Sequence, residues 1–248
     1  MSSNAYRFFE AQNFILNKNF ILNEQNSHKI INVLRLAIDS IINIFNNTNT
    51  EFIAKIINIK QKKIIEIIIL KAIPKNLESP LKIHLVQAIA KHDNMDIIIQ
   101  KATELGIYQI TPIITDRTIV NINKQQLTKK LEHWQLIAIN ACCQCGRTIV
   151  PNINNIILFK SFLESNFNTY KFILSPQKNI NNNNLNLDDN KEIYIIIGPE
   201  GGFSNQELML AAQNQCVNIN IGPRILRTET AAIAAVSVLQ AKYGDLIL

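Results

Sequence analysis

Along its first seventy residues the chain sets short apolar runs between polar clusters. The runs at residues 14–16, 20–22, 41–45, 52–57 and 64–70 are rich in Ile and Phe, and each is the length of a strand. Five strands at such close spacing predict a small β-barrel. The connector at residues 72–80, bracketed by Pro74 and Pro80, marks a boundary. The predicted organisation is a β-domain over residues 1–73 and a larger domain over 74–248.

Beyond Pro80 the pattern changes. Residues 81–89 predict a buried strand. A helix follows from Asn94, with Ile98, Ala102 and Leu105 on one face and Gly106 as its stop. Residues 107–114 predict a strand, and residues 124–142 a helix that carries the only tryptophan, Trp134. Further strands are expected at 155–159, 170–174, 193–197 and 217–221. Ser204 with Glu207 three positions on forms a capping box for one helix. Thr228 opens an alanine-rich helix that ends near Gly244. Strands alternating with helices predict an α/β domain with a mostly parallel sheet flanked by helices. The asparagine tract at 179–190 reads as a solvated loop between two strands.

Composition narrows the class. Hydrophobic residues make up 47% of the chain and charged residues 18%, the balance of a folded protein. The apolar runs fall well short of the roughly 18 residues of a membrane span. The first residues lack a basic segment followed by an apolar one. The expectation is a soluble cytoplasmic protein with no membrane association. A formal net charge of +6 favours polyanionic partners. Three of the four cysteines crowd at 142, 143 and 145, and only His133 and the distant Cys216 are left to complete a zinc set. No metal is expected; the thiols read as buried or half-buried groups on a helix.

Two segments concentrate the chemistry, and each follows a predicted strand and opens a predicted helix. The first runs Gly198-Pro199-Glu200-Gly201-Gly202 and the second Ile221-Gly222-Pro223-Arg224-Ile225-Leu226-Arg227-Thr228-Glu229-Thr230-Ala231. Together they hold Gly198, Gly201, Gly202 and Gly222 of the seven glycines in the chain. Such glycines turn the backbone sharply and let a ligand approach the main chain. In α/β sheets that approach happens at the carboxyl ends of the strands. The first loop lacks the Lys-Ser/Thr ending of a P-loop and is not G-x-G-x-x-G, so neither an NTPase nor a dehydrogenase is indicated.

The string Ile197-Gly198-Pro199-Glu200-Gly201-Gly202-Phe203, followed by Gly222-Pro223-Arg224-Ile225-Leu226-Arg227-Thr228-Glu229-Thr230-Ala231, resembles the ribosomal RNA small subunit methyltransferase E family of the SPOUT class. Upstream segments match in order: His92-Asp93-Asn94-Met95, the run from Gln100 to Gly106, Thr115-Asp116-Arg117, and Gln144-Cys145-Gly146-Arg147 with Pro151. The start matches as well, with Arg7-Phe8-Phe9, His28 and Val33-Leu34-Arg35-Leu36.

The resemblance implies a PUA-like RNA-binding barrel followed by a trefoil-knotted catalytic domain. It also implies a homodimer, S-adenosyl-L-methionine as cofactor, and methylation of N3 of one uridine in the 16S ribosomal RNA of the small subunit. Carried over by position, Gly198, Pro199, Glu200, Gly201 and Gly202 form one part of the cofactor pocket. Ile221, Gly222, Leu226, Arg227, Thr228, Thr230 and Ala231 form another, and Leu174 and Ser175 close it. Arg227 is the first choice for chemistry, because a guanidinium beside the uracil carbonyls stabilises the N3 anion. Glu200 and Glu229 are candidate proton acceptors; either could instead orient Arg227 or cap a helix. Arg7, Arg35, Lys91, Arg117 and Arg147 are candidate RNA contacts, with surface ion pairs as the alternative.

The chain departs from the family pattern at Asn140 and Cys143, where acidic residues are usual. It also departs at His133, in place of Arg, and at Asp39, in place of Gly. These positions bear on RNA or dimer contacts more than on the cofactor loops. Two alternatives stand beside the main expectation: a methyltransferase of the same class acting on another RNA, and a non-catalytic RNA-binding protein of ribosome assembly.

Overall fold

The computed structural model describes residues 6–61, 63–91, 93–118, 124–165, 169–175 and 192–247; His92 and the asparagine tract lie outside them. The chain divides into two units. One comprises Met1–Glu78 with Cys142–Val150, the other Ser79–Ala141 with Pro151–Leu248.

The first unit contains β1 (Arg7–Phe9), β2 (Asn19–Ile21), α1 (Glu24–His28), β3 (Ile41–Phe45), β4 (Thr50–Lys60) and β5 (Ile64–Pro74). The strands form one sheet in the order β1-β3-β4-β5-β2, antiparallel except for the parallel pair β1–β3. Strand periodicity explains the core, since side chains two residues apart share a face. Ile42 and Ile44, then Phe52, Ala54 and Ile56, then Ile65, Ile67 and Ile69 are all buried together.

One expectation for this unit needs correction. Residues 14–16 form no strand. Phe14 instead sets its ring edge-on to Phe20, with centroids 5.0 Å apart, and 5.2 Å from Phe52. Aromatic packing rather than a ladder accounts for that apolar run. Residues 24–34, for which the sequence pattern predicts no element, form α1 and a π-helical turn over Lys29–Leu34. Asn23 caps this segment, its side-chain oxygen accepting from the Asn26 N–H at 2.8 Å. Asp39, where the family pattern has glycine, adopts φ +71°. The position therefore keeps the left-handed backbone that glycine favours, and aspartate is among the few other residues that tolerate it.

The second unit contains β6 (Lys82–Ala88), α2 (Asn94–Glu104), β7 (Gln109–Ile114), α3 (Lys124–Cys145, whose last turn belongs to the first unit), β8 (Asn152–Ile153), β9 (Ile157–Leu158) and α4 (Phe159–Glu164). After these come β10 (Tyr170–Leu174), β11 (Glu192–Ile197), α5 (Asn205–Gln213), β12 (Val217–Ile219) and α6 (Thr228–Tyr243). The sheet is parallel throughout, in the order β12-β10-β11-β6-β7-β8, with β9 also on β7. β6 and β11 are buried almost end to end, as expected of central parallel strands covered on both faces. β11 lies between β6 and β10, both of which precede it in the chain.

The expected helix signals are in place. Gly106 follows α2 at φ +80°, and the Ser204–Glu207 capping box opens α5. Gln240, fully buried on α6, donates to the carbonyls of Leu105 and Gly106 at 3.1 and 3.3 Å. One element differs. The strand expected at 155–159 shrinks to β9, and Phe159 begins α4, where Phe159, Phe162 and Leu163 are buried at helical spacing.

Candidate active site

The carboxyl ends of β10 and β11, two strands adjacent in the sheet, and of β12 beside β10 border a cavity of about 740 Å³ together with the loops that follow β11 and β12. Leu174 and Ser175 line it from β10. Gly198, Pro199, Glu200, Gly201 and Gly202 line it from the loop after β11. Ile221, Leu226, Arg227, Thr228, Glu229 and Ala231 complete the wall from the loop after β12 and the start of α6. Of the residues expected in the pocket, Gly222 and Thr230 are not on its wall. Asn94, Phe203, Asn220 and Arg224 are on it without having been singled out. Asn94, Phe203 and Arg224 lie inside the quoted motifs, which was the only available signal.

The glycine loop is held from several sides. Gly202 turns back so that its N–H donates to the Pro199 carbonyl at 2.8 Å, with φ +68°. A Cβ at Gly202 would meet nothing within 4 Å, whereas one at Gly198 would press on the Phe203 ring at 3.0 Å. The first glycine thus allows close internal packing, and the later one leaves backbone open on the cavity side. The Thr228 hydroxyl donates to the Gly198 carbonyl at 2.7 Å and accepts from the fully buried Gln87 amide at 3.0 Å. This chain of bonds joins β6, the glycine loop and α6.

Two further clasps come from the loop after β7. Arg117 Nη1 donates to the Gly201 carbonyl at 2.7 Å. The Asp116 N–H donates to Glu207 Oε1 at 2.9 Å, and the Ser204 hydroxyl donates to Asp116 Oδ2 at 2.6 Å. Glu200 accepts from the Lys91 N–H at 2.9 Å and from the Asn94 amide at 3.5 Å. Arg227 is exposed at the N-cap position of α6 and, with Arg117 and Arg224, is one of three arginines on the lining.

The candidate RNA contacts separate into two kinds. Arg35 and Arg117 are exposed, and Lys91 is half-buried. Arg7 and Arg147 are corrected, because both are consumed inside the first unit. Arg7 Nε donates to Glu51 at 2.5 Å, and its two Nη atoms donate to the carbonyls of Cys142, Cys143, Gly146 and Arg147. It thereby satisfies the orphan carbonyls at the end of α3. Arg147 is only 3% exposed and is paired with Glu78 through Nε and Nη2.

The four cysteines are free thiols, with Cys142 and Cys216 buried and the other two half-buried. Among the described residues no group of three or more His, Cys, Asp or Glu side chains could hold a metal ion. No helix of the described residues is long and apolar enough to cross a membrane. His133 pairs with Asp96 at 2.7 Å.

Comparison with known proteins agrees with this geometry. The family model for an RNA methyltransferase domain matches residues 77–240, and that for an RNA methyltransferase PUA domain matches residues 22–70. The fold is therefore that of a SPOUT-type RNA methyltransferase with an N-terminal PUA-like domain. The ribosomal RNA small subunit methyltransferase E of Buchnera aphidicola subsp. Acyrthosiphon pisum is 41% identical over 239 residues, 96% of this chain and 94% of its own. A Legionella pneumophila methyltransferase solved with bound SAM superposes with a TM-score of 0.91 at 38% identity, covering 98% of this chain and 99% of that one. The Neisseria gonorrhoeae ribosomal RNA small subunit methyltransferase E bound to S-adenosyl methionine superposes with a TM-score of 0.89 at 32% identity, covering 98% and 100%. The chain belongs to the ribosomal RNA small subunit methyltransferase E family.

Proposed function

We propose that this protein transfers a methyl group from S-adenosylmethionine to N3 of a uridine in 16S ribosomal RNA of the small subunit, acting in the cytoplasm as a homodimer. The observation that carries this is the cavity itself: two glycine loops and Arg227 brought to one place at the ends of three adjacent strands. Family membership and the S-adenosylmethionine-bound relatives support the choice of cofactor and RNA. A trefoil knot belongs to the same proposal, and the insertion of β11 between two earlier strands accords with it.

The residues present fit the cofactor. The cavity is of the size that encloses a small molecule. At Gly202 the backbone faces the cavity with nothing within 4 Å of a would-be Cβ. Backbone groups of Gly198 to Gly202 and of Ile221 to Ala231 would hold the ligand, with Leu174 and Ser175 closing one side. When bound, S-adenosylmethionine supplies a methyl group on a cationic sulfur.

The protein's own contribution is alignment and charge. Uracil N3 is a poor nucleophile until it loses its proton, and the Arg227 guanidinium beside the flanking carbonyls would stabilise the anion. Exposed Arg35 and Arg117, with Lys91, would hold phosphates. The unit at Met1–Glu78, which contains the PUA match, would help hold RNA.

Calorimetric titration of the purified protein with S-adenosylmethionine tests the site. Saturable binding at one site per chain is expected, and failure to bind at millimolar concentration would overturn the proposal.

A further inference from the structure

The cavity wall carries two carboxylates in different surroundings. Glu200 is exposed, and its Oε1 is engaged by the Lys91 N–H and the Asn94 amide. Its carboxylate fastens the glycine loop to the segment that opens α2. Glu229 is the second residue of α6. Its Oε2 is buried and accepts no hydrogen bond among the described residues. Folded proteins keep few buried polar atoms without a partner, because each has lost water and gained nothing in return. A carboxylate in the first turn of a helix ordinarily stays in water or accepts a backbone N–H. For this oxygen neither holds, yet the residue lines the cavity.

We infer that Glu229, not Glu200, is the proton acceptor of the methyl transfer, its carboxylate receiving the N3–H of the target uracil. The inference rests on the reaction proposed above. Arg227, the N-cap of α6, and Glu229, two residues on, both line the cavity, so the cation for the uracil carbonyl oxygens and the base for the N3 proton belong to one wall. In the balanced step the N3–H bond breaks, its proton passes to the Glu229 carboxylate and its electron pair stays on N3. That pair forms the new N–CH3 bond as the S–CH3 bond breaks, and the bonding pair of the S–CH3 bond returns to sulfur. The products are 3-methyluridine, S-adenosylhomocysteine and a protonated Glu229, which releases its proton to water. A neutral thioether replaces the sulfonium, so charge is conserved.

The test compares wild type, Glu229→Gln, Glu229→Asp and Glu200→Gln with unmodified small ribosomal subunits under single-turnover conditions. Cofactor affinity is measured by calorimetry and folding by thermal denaturation. Glu229→Gln is expected to bind S-adenosylmethionine within about threefold of wild type and to lose about 10²–10⁴ in rate at neutral pH. The lost rate returns roughly tenfold per pH unit as uracil ionises without help. Glu229→Asp, which keeps the carboxylate, retains more rate than Glu229→Gln, and Glu200→Gln keeps the wild-type pH profile. A Glu229→Gln rate near wild type, or a rate loss matched by lost cofactor affinity or lost folding, overturns the assignment. Absence of 3-methyluridine with wild type itself would instead remove the proposed reaction, and the inference with it.

Discussion

The Thr228 hydroxyl donates to the Gly198 carbonyl across 2.7 Å and 30 residues of sequence, tying the start of α6 to the glycine loop. Thr228 is 4% exposed, and its oxygen also receives the amide of fully buried Gln87. Thr228→Val preserves shape but leaves a carbonyl and an amide hydrogen without this partner. We predict a loss of about 1–3 kcal/mol in urea denaturation. A weaker affinity for S-adenosylmethionine, by about fivefold or more, should accompany it because the loop loses its anchor. Unchanged stability and affinity would show that the loop is held by other means.

Arg7 is a structural clamp rather than an RNA contact. Its guanidinium serves four carbonyls and Glu51, and Lys75, 3.1 Å from Glu51, cannot reproduce that planar fork. Arg7→Ala is expected to destabilise the protein by about 3 kcal/mol, since it leaves largely buried acceptors unmatched. Chemical denaturation checks this. Normal stability with weakened RNA binding would restore Arg7 to the RNA interface.

His84 makes stability depend on pH. Its ring is 3% exposed, stacks on Tyr194 with centroids 4.4 Å apart and lies 2.8 Å from Glu192. Burial pushes the imidazole below its usual 6.5, against the opposing pull of the Glu192 carboxylate. The folded protein therefore resists a proton that the unfolded chain accepts. The contribution is fully present above about pH 6.5 and is lost as pH falls below it towards the folded-state value. Denaturation midpoints measured from pH 8 down to pH 5 should decline below 6.5 in wild type and decline less in His84→Gln. Equal slopes would contradict the assignment.

Arg227→Ala should lower the single-turnover methylation rate by about 10²–10³ and change RNA affinity by only about threefold. Equal losses in rate and in RNA affinity, measured by filter binding, would make Arg227 an RNA anchor and not a stabiliser of the reacting base.

Where local pattern decides structure, the elements were legible in advance. β10 at Tyr170–Leu174, the start of α2 at Asn94, the Ser204–Glu207 cap and the opening of α6 at Thr228 all follow from periodicity and capping chemistry. Phe14 and Phe159 misled because an apolar residue can meet its neighbours through ring packing or a short helix as readily as through a strand. Asn23, a residue type that favours helix N-caps, caps α1, a helix too short for its periodicity to show. Much of the cavity lining falls in the two motif loops, whereas Asn94 and Arg117 reach it from distant segments. The fates of Arg7 and Arg147 were not, since their partners, the α3 terminus and Glu78, are brought to them only by folding. The contrast between Glu200 and Glu229 likewise depends on Lys91 and Asn94, more than a hundred residues away from Glu200.

The most direct measurement of the central claim incubates unmodified small ribosomal subunits with the purified protein and labelled S-adenosylmethionine, then digests the RNA and identifies the labelled nucleoside by mass spectrometry. The account predicts 3-methyluridine in 16S ribosomal RNA. Label in another nucleoside, label only in transfer RNA, or no label despite cofactor binding would contradict it.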